Sequence, residues 1–148
     1  MNRPNFILMV GLPRSGKSTW IKDNAQNEIV VSNDWIREEI LGTHYSKNAN
    51  AIIWTIADAA LRIVLGQGKD AIYDGVNLTK ETRKFYIDLA RQYGAKIKIV
   101  LVLTPLEICI ERNKVGQKLP IEVLEKMAGS FERPEREEYD EIDVIYTI

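Results

Sequence analysis

One cysteine, Cys109, stands in the whole chain, so no internal disulfide can form. That usage fits a reducing cytoplasm, which is the expected location. There is one histidine, His44, and neither zinc-ligand spacing nor a Ser-His-Asp arrangement is seen. It is read as a surface or satisfied histidine. Neither sign of charge dominates: 20 Lys and Arg face 21 Asp and Glu, for a net charge of −1. No global basic field therefore draws the chain onto nucleic acid or a membrane surface, although a local basic groove is still allowed. No apolar run reaches the length of a membrane span, and FILMV is too short for a secretory h-region. Repeats and low-complexity tracts are also missing.

What is present is an ordinary single-domain load: 148 residues, 45% of them hydrophobic, read as one domain over 1–148. Phe6 to Val10 is a short apolar run, read as a strand buried on both faces. Further strands are expected at Glu28 to Ser32, Ala71 to Tyr73, Lys96 to Leu103 and Ile142 to Ile148. Helices are expected at Lys17 to Asn24, Asp34 to Leu41, Asn48 to Leu65, Thr79 to Tyr93, from Thr104 onward, and at Pro120 to Phe131. Thr79 reads as an N-cap. Thr104-Pro105-Leu106-Glu107 reads as a threonine cap, a first-turn proline and a capping-box glutamate. Asn113 to Leu119 reads as a mobile loop, and the charged run Glu132 to Glu141 as a solvated segment. Alternating strands and helices predict an α/β domain with a five-stranded, mainly parallel sheet covered by helices on both faces. Ligands then collect outside the carboxyl ends of the strands.

The segment GLPRSGKSTW follows the first strand directly. Gly11, Gly16, Lys17 and Ser18 fit G-x-x-x-x-G-K-[ST] between a strand and a helix. Glycines let backbone N–H groups turn inward on an anion, and the helix start adds partial positive charge. The candidate nucleotide-binding residues are Gly11, Pro13, Arg14, Ser15, Gly16, Lys17, Ser18 and Thr19. Lys17 is expected on the β and γ phosphates of ATP. The Ser18 hydroxyl is expected on Mg²⁺ and Thr19 near the α phosphate. Arg14 points either to solvent or to the acceptor.

Asp34 and Arg37 follow the second strand. One reading makes Asp34 the base that takes a hydroxyl proton, with Arg37 on an anionic group of the acceptor. The other makes Asp34 a helix cap and Arg37 a surface partner of Glu38, Glu39 or Glu81. Asp74 ends the third strand and either holds Mg²⁺ through water, braces Arg37, or serves as a turn residue. Asn77 is read as a turn or capping residue. Arg112, Lys114 and Lys118 flank a glycine-containing lid segment at about 112–120 that can close over phosphates. Trp35 stands beside Asp34, placed either to stack on an acceptor base or to pack in the core. Trp20, Trp54 and Cys109 are read as core residues.

GLPRSGKSTW, VSNDWIR, IYDGVNL and ERNKVGQKLPIEVLEKM together resemble the kinase half of bacteriophage polynucleotide 5′-kinase, in order and approximate spacing. The resemblance spans nearly the whole chain. It implies an adenylate-kinase-like P-loop NTPase fold of three layers, ATP as donor and a 5′-hydroxyl DNA or RNA end as acceptor. It implies catalytic roles for Lys17, Asp34 as general base, and Arg112 as a lid arginine, with Arg37 and Asp74 on the acceptor side. The family's second lid arginine falls at Gly116 here, leaving Lys114 or Lys118 to substitute. A small-molecule or nucleoside monophosphate kinase on the same fold, and a P-loop ATPase or switch module, are the alternatives.

Overall fold

The computed structural model describes residues 3–42, 49–116 and 119–147. His44, Lys118 and the expected helix start at Asn48 lie outside them. Five strands form one sheet: β1 (Asn5–Val10), β2 (Ile29–Ser32), β3 (Ala71–Asp74), β4 (Lys96–Leu103) and β5 (Glu141–Tyr146). Their order is β2-β3-β1-β4-β5, and every pairing is parallel. The expected sheet is present and is entirely parallel.

The period-two backbone of a strand sends alternate residues to opposite faces. Phe6, Leu8 and Val10 of β1 enter the larger core with Val31, Tyr73, Ile99 and Leu101. Ile7 and Met9 enter a smaller core with Ile72, Val100 and Val102. This two-sided burial explains why FILMV is a continuous apolar run rather than an alternating one.

The smaller core is closed by α1 (Lys17–Asn24) through Trp20 and Ile21. Trp20 is therefore core-facing as expected, and the Lys98 ammonium stands 5.8 Å from its ring centroid. The larger core is closed by α3 (Asn50–Gly66) and α4 (Lys80–Gln92), with Ile53, Ala57 and Leu61 from one and Tyr86, Ile87 and Leu89 from the other. Thr79 caps α4, its hydroxyl accepting from the Thr82 amide at 3.3 Å. Between β2 and α3, α2 (Asn33–Trp35) continues into a wide π turn at Ile36–Ile40, where the Leu41 amide reaches back to the Ile36 carbonyl.

Two expectations are corrected here. Thr104 does not cap α5 (Leu106–Arg112); Pro105 occupies that position with no side-chain cap. The Thr104 hydroxyl is spent on the Ser15 carbonyl at 2.7 Å and on Thr147 at 2.8 Å. A long-range contact has outcompeted the local one. Trp54 is not a core residue: it is 53% exposed, because α3 buries the neighbouring Ile53 instead. Cys109 is fully buried on α5, and burial pushes its thiol up.

The chain closes through α6 (Ile121–Ser130) and a short 3₁₀ turn at Arg136–Glu138 that leads into β5. The charged run is more than a solvated segment. Arg83 is fully buried, pairs with Glu138 at 2.7 Å, and donates to the Asn77 and Leu78 carbonyls. Lys80 pairs with Glu135 beside it. No described helix is long and apolar enough to cross a membrane.

Candidate active site

The central strand β1 lies between β3 and β4, so its carboxyl end is where the sheet order reverses. The loop leaving it is shaped around an enclosed space. A Cβ added at Gly11 would lie 2.8 Å from Ser15 Oγ and 2.9 Å from the Val102 carbonyl. Only glycine fits there without displacing backbone. Arg14 and Gly16 both have positive φ, at 68° and 113°. Glycine suits Gly16, whereas Arg14 holds a conformation that L-residues rarely adopt. The Gly11 amide is anchored on the Val76 carbonyl at 3.0 Å, which ties this loop to the one after β3.

Lys17 starts α1 and is buried. Its ammonium donates to the Gly11 and Leu12 carbonyls at 3.0 and 2.8 Å. Burial holds its pKa below the usual lysine value, with Asp74 and Asp34 pulling the other way. Ser15 Oγ is buried with no hydrogen-bond partner. A glycine-built cradle, an enclosed cation, an orphaned hydroxyl and the start of α1 together suit a polyphosphate. Ser18 and Thr19 stand exposed in the first turn of that helix, and Pro13 is half-buried in the loop. Among the described residues no cluster of three His, Cys, Asp or Glu side chains forms a metal site. Ser18 and Asp74 are the side chains expected to hold a divalent ion that arrives with the phosphates.

The helix after β2 resolves part of the double reading of Asp34. Ser32 is its cap, its hydroxyl accepting from the Trp35 amide at 3.2 Å. Asp34 therefore does not cap, and its side chain is 80% exposed. Arg37 pairs with Asp34 at 2.7 Å rather than with Glu38, Glu39 or Glu81. The guanidinium is only 17% exposed, and its Nε is buried without a partner. Asp74 pairs in register with Ser32, so β2 and β3 end side by side. Burial raises the Asp74 carboxyl above its usual range; Lys17 opposes that and Asp34 reinforces it. Lys17, Asp34 and Asp74 thus feel one another's charge, as the shared sheet edge requires. Trp35 is 57% exposed, which excludes the core alternative.

On the opposite side, Arg112 ends α5 and donates to the Arg14 carbonyl at 3.0 Å. A Cβ at Gly116 would stand 3.6 Å from Arg14 Nη2, so the loop arginine reaches the lid segment. Lys114, in the turn after α5, pairs with Glu111 at 2.9 Å. Asn113 was not expected to matter. It is buried, and its amide bonds both the Leu119 carbonyl and the Leu119 amide, closing the base of this loop. Asn77 is likewise more than a turn residue. Its backbone is left-handed at φ 47°, and its side chain donates to the Met9 carbonyl at 2.8 Å. No local pattern announces the Asn77 contact, since the Met9 carbonyl lies far away in the chain.

Residues 6–134 match the family described as AAA domain, which is most of the chain. The chain belongs to that AAA-domain family. Two curated relatives of this AAA-domain chain are similar over much of its length. L-seryl-tRNA(Sec) kinase of Methanococcus maripaludis is 25% identical over 137 residues, covering 87% of this chain and 53% of the relative. The bifunctional polynucleotide phosphatase/kinase of Schizosaccharomyces pombe is 29% identical over 109 residues, covering 73% of this chain and 23% of the relative. The chain thus spans about half or less of the curated relatives it matches. Among solved structures, a chain of the Pnkp1/Rnl/Hen1 RNA repair complex superposes with a TM-score of 0.74 at 22% identity, over 88% of this chain and 44% of that one. The fold is that of P-loop kinases.

Proposed function

We propose that this AAA-domain chain is an ATP- and Mg²⁺-dependent phosphotransferase whose acceptor is the 5′-hydroxyl end of a polynucleotide. The observation that carries it is the placement of Asp34. A carboxylate released from capping duty stands on the same sheet edge as the phosphate-loop lysine, held by a mostly buried arginine. An ATPase needs only a group that orients water, whereas this pair has a base for an alcohol and a cation for an anionic acceptor.

Phosphoryl transfer asks the protein for position and charge rather than covalent chemistry. Lys17 would leave the loop carbonyls for the β and γ oxygens. The N–H groups of Gly16, Lys17 and Ser18 at the start of α1 would hold the donor in line. Magnesium, when bound, neutralises charge across the β and γ phosphates. Asp34, oriented by Arg37, would accept the proton of the attacking hydroxyl. Arg112 would stabilise charge on the transferring group from the lid side, and Trp35 stands beside Asp34 on the acceptor side. The polynucleotide relative and the sequence resemblance support a nucleic-acid end as acceptor.

A second reading has its own support: the seryl-tRNA kinase relative covers more of this chain. In that reading the acceptor is a small alcohol, free or carried on an RNA. One assay separates the two. Labelled ATP is supplied with 5′-hydroxyl oligonucleotides, seryl-tRNA, nucleoside monophosphates or sugars, beside a control without acceptor. Label on oligonucleotide ends alone supports the proposal. Label on monophosphates, sugars or the seryl group alone refutes it. Phosphate release indifferent to every acceptor marks a P-loop ATPase.

A further inference from the structure

Beside the acceptor carboxylate lies a cleft that the proposed chemistry does not use. It is a cavity of about 180 Å³ lined by Asn33, Trp54, Tyr73, Thr82, Met127 and Ser130, among others. The lining residues come from α2, α3, β3, α4 and α6, so only the assembled fold creates it. Asn33 directly precedes Asp34, which puts the cleft next to that carboxylate.

Its walls are chemically selective. None of the lining residues is charged. A phosphate or carboxylate would find no cation there. Trp54 contributes a half-exposed indole and Met127 a polarizable thioether. Both suit the face of a flat ring. One amide is fixed at the wall. Tyr73 donates to Asn33 Oδ1 at 2.9 Å, and the Tyr73 hydroxyl also shares a hydrogen bond of 3.2 Å with Tyr86. The volume falls below the range of about 300–1,000 Å³ typical of drug-sized ligands, which suits a single ring system.

We propose that this cleft is a base subsite: it takes the neutral nucleobase of the acceptor's terminal nucleoside, stacked on Trp54, while the same nucleoside presents its hydroxyl to Asp34. The inference rests on the kinase reading above and narrows its acceptor to one carrying a base.

The test compares two 5′-hydroxyl oligonucleotides, one complete and one whose terminal residue lacks its base. Base–aromatic stacking of this kind is worth about tenfold in affinity. The base-free end should therefore lose about tenfold in kcat/KM, mainly through KM. Trp54→Ala should lose about as much on the complete end, Trp54→Phe should recover most of it, and the two losses should overlap rather than multiply. Equal use of both ends by the wild type overturns the subsite, as does a Trp54→Ala loss of the same size on both. Trp54 fluorescence, taken as wild type minus Trp54→Phe, gives a readout independent of turnover. Quenching by the complete oligonucleotide but not the base-free one supports the subsite even without transfer, in which case the kinase reading alone fails. Transfer without quenching overturns the subsite alone, and neither quenching nor transfer overturns both.

Discussion

Asp34 follows β2 and Asp74 ends the neighbouring β3, yet their surroundings differ. Asp34 is exposed and paired with Arg37. Asp34→Asn keeps the shape and removes the base. Transfer should fall by about 100-fold or more while ATP affinity stays within about threefold, read by single-turnover transfer and by calorimetric titration. Equal loss of both would make the residue structural. Asp74 is half-buried. Its carboxyl is raised above 3.8 by burial, against the pull of Lys17. The folded protein therefore holds that proton more tightly than the unfolded chain does. The associated stability is full below the unfolded value and is lost as pH rises through the folded one. Asp74→Asn should accordingly unfold at a higher temperature than wild type at pH 7. The gap should close near pH 4 and below, and a variant less stable at pH 7 would show that Lys17 attraction outweighs burial.

At the scale of elements, the segment expected to act as a lid is tethered at both ends. Arg112 holds the Arg14 carbonyl of the phosphate loop, and Asn113 clamps Leu119 by two hydrogen bonds. The expected free loop thus has a built base. Removing a buried partner that satisfies two backbone groups costs about 1–3 kcal/mol locally. Asn113→Ala should speed hydrogen exchange at the Leu119 amide by about tenfold or more, and leave exchange in β1 and β4 unchanged. Unchanged exchange at Leu119 would mean that the loop is held elsewhere. The π turn after α2 is a second device of this scale. It occupies the segment that carries Arg37, where such turns often accompany function.

At the scale of the molecule, Arg83 joins the sheet edge to the chain's last turn. Its guanidinium is enclosed, bound to Glu138 and to the two carbonyls that follow the Asp74 loop. A buried pair adds little over a packed apolar pair, but breaking one side leaves a stranded charge. Arg83→Leu should lower stability by about 3 kcal/mol in denaturant unfolding. The double variant with Glu138→Leu should recover part of that loss. Additive losses would show that the two residues do not act as a pair.

Sequence alone settled whatever is written in local pattern. The two-sided apolar run before GLPRSGKS, the alternation of strands and helices, and the Thr79 cap each depend on residues a few positions apart. They carried the parallel sheet, the phosphate loop and the position of Asp34 at a strand end. Tertiary structure decided what depends on groups distant in the chain. It spent Thr104 on Ser15 and Thr147 instead of on its own helix. It turned Trp54 from core to cleft, paired Arg83 with Glu138, and gave Asn77 the Met9 carbonyl. The polar contacts share one physical reason. A buried polar group must find a partner, and which backbone group stands within reach is set by packing rather than by sequence neighbours.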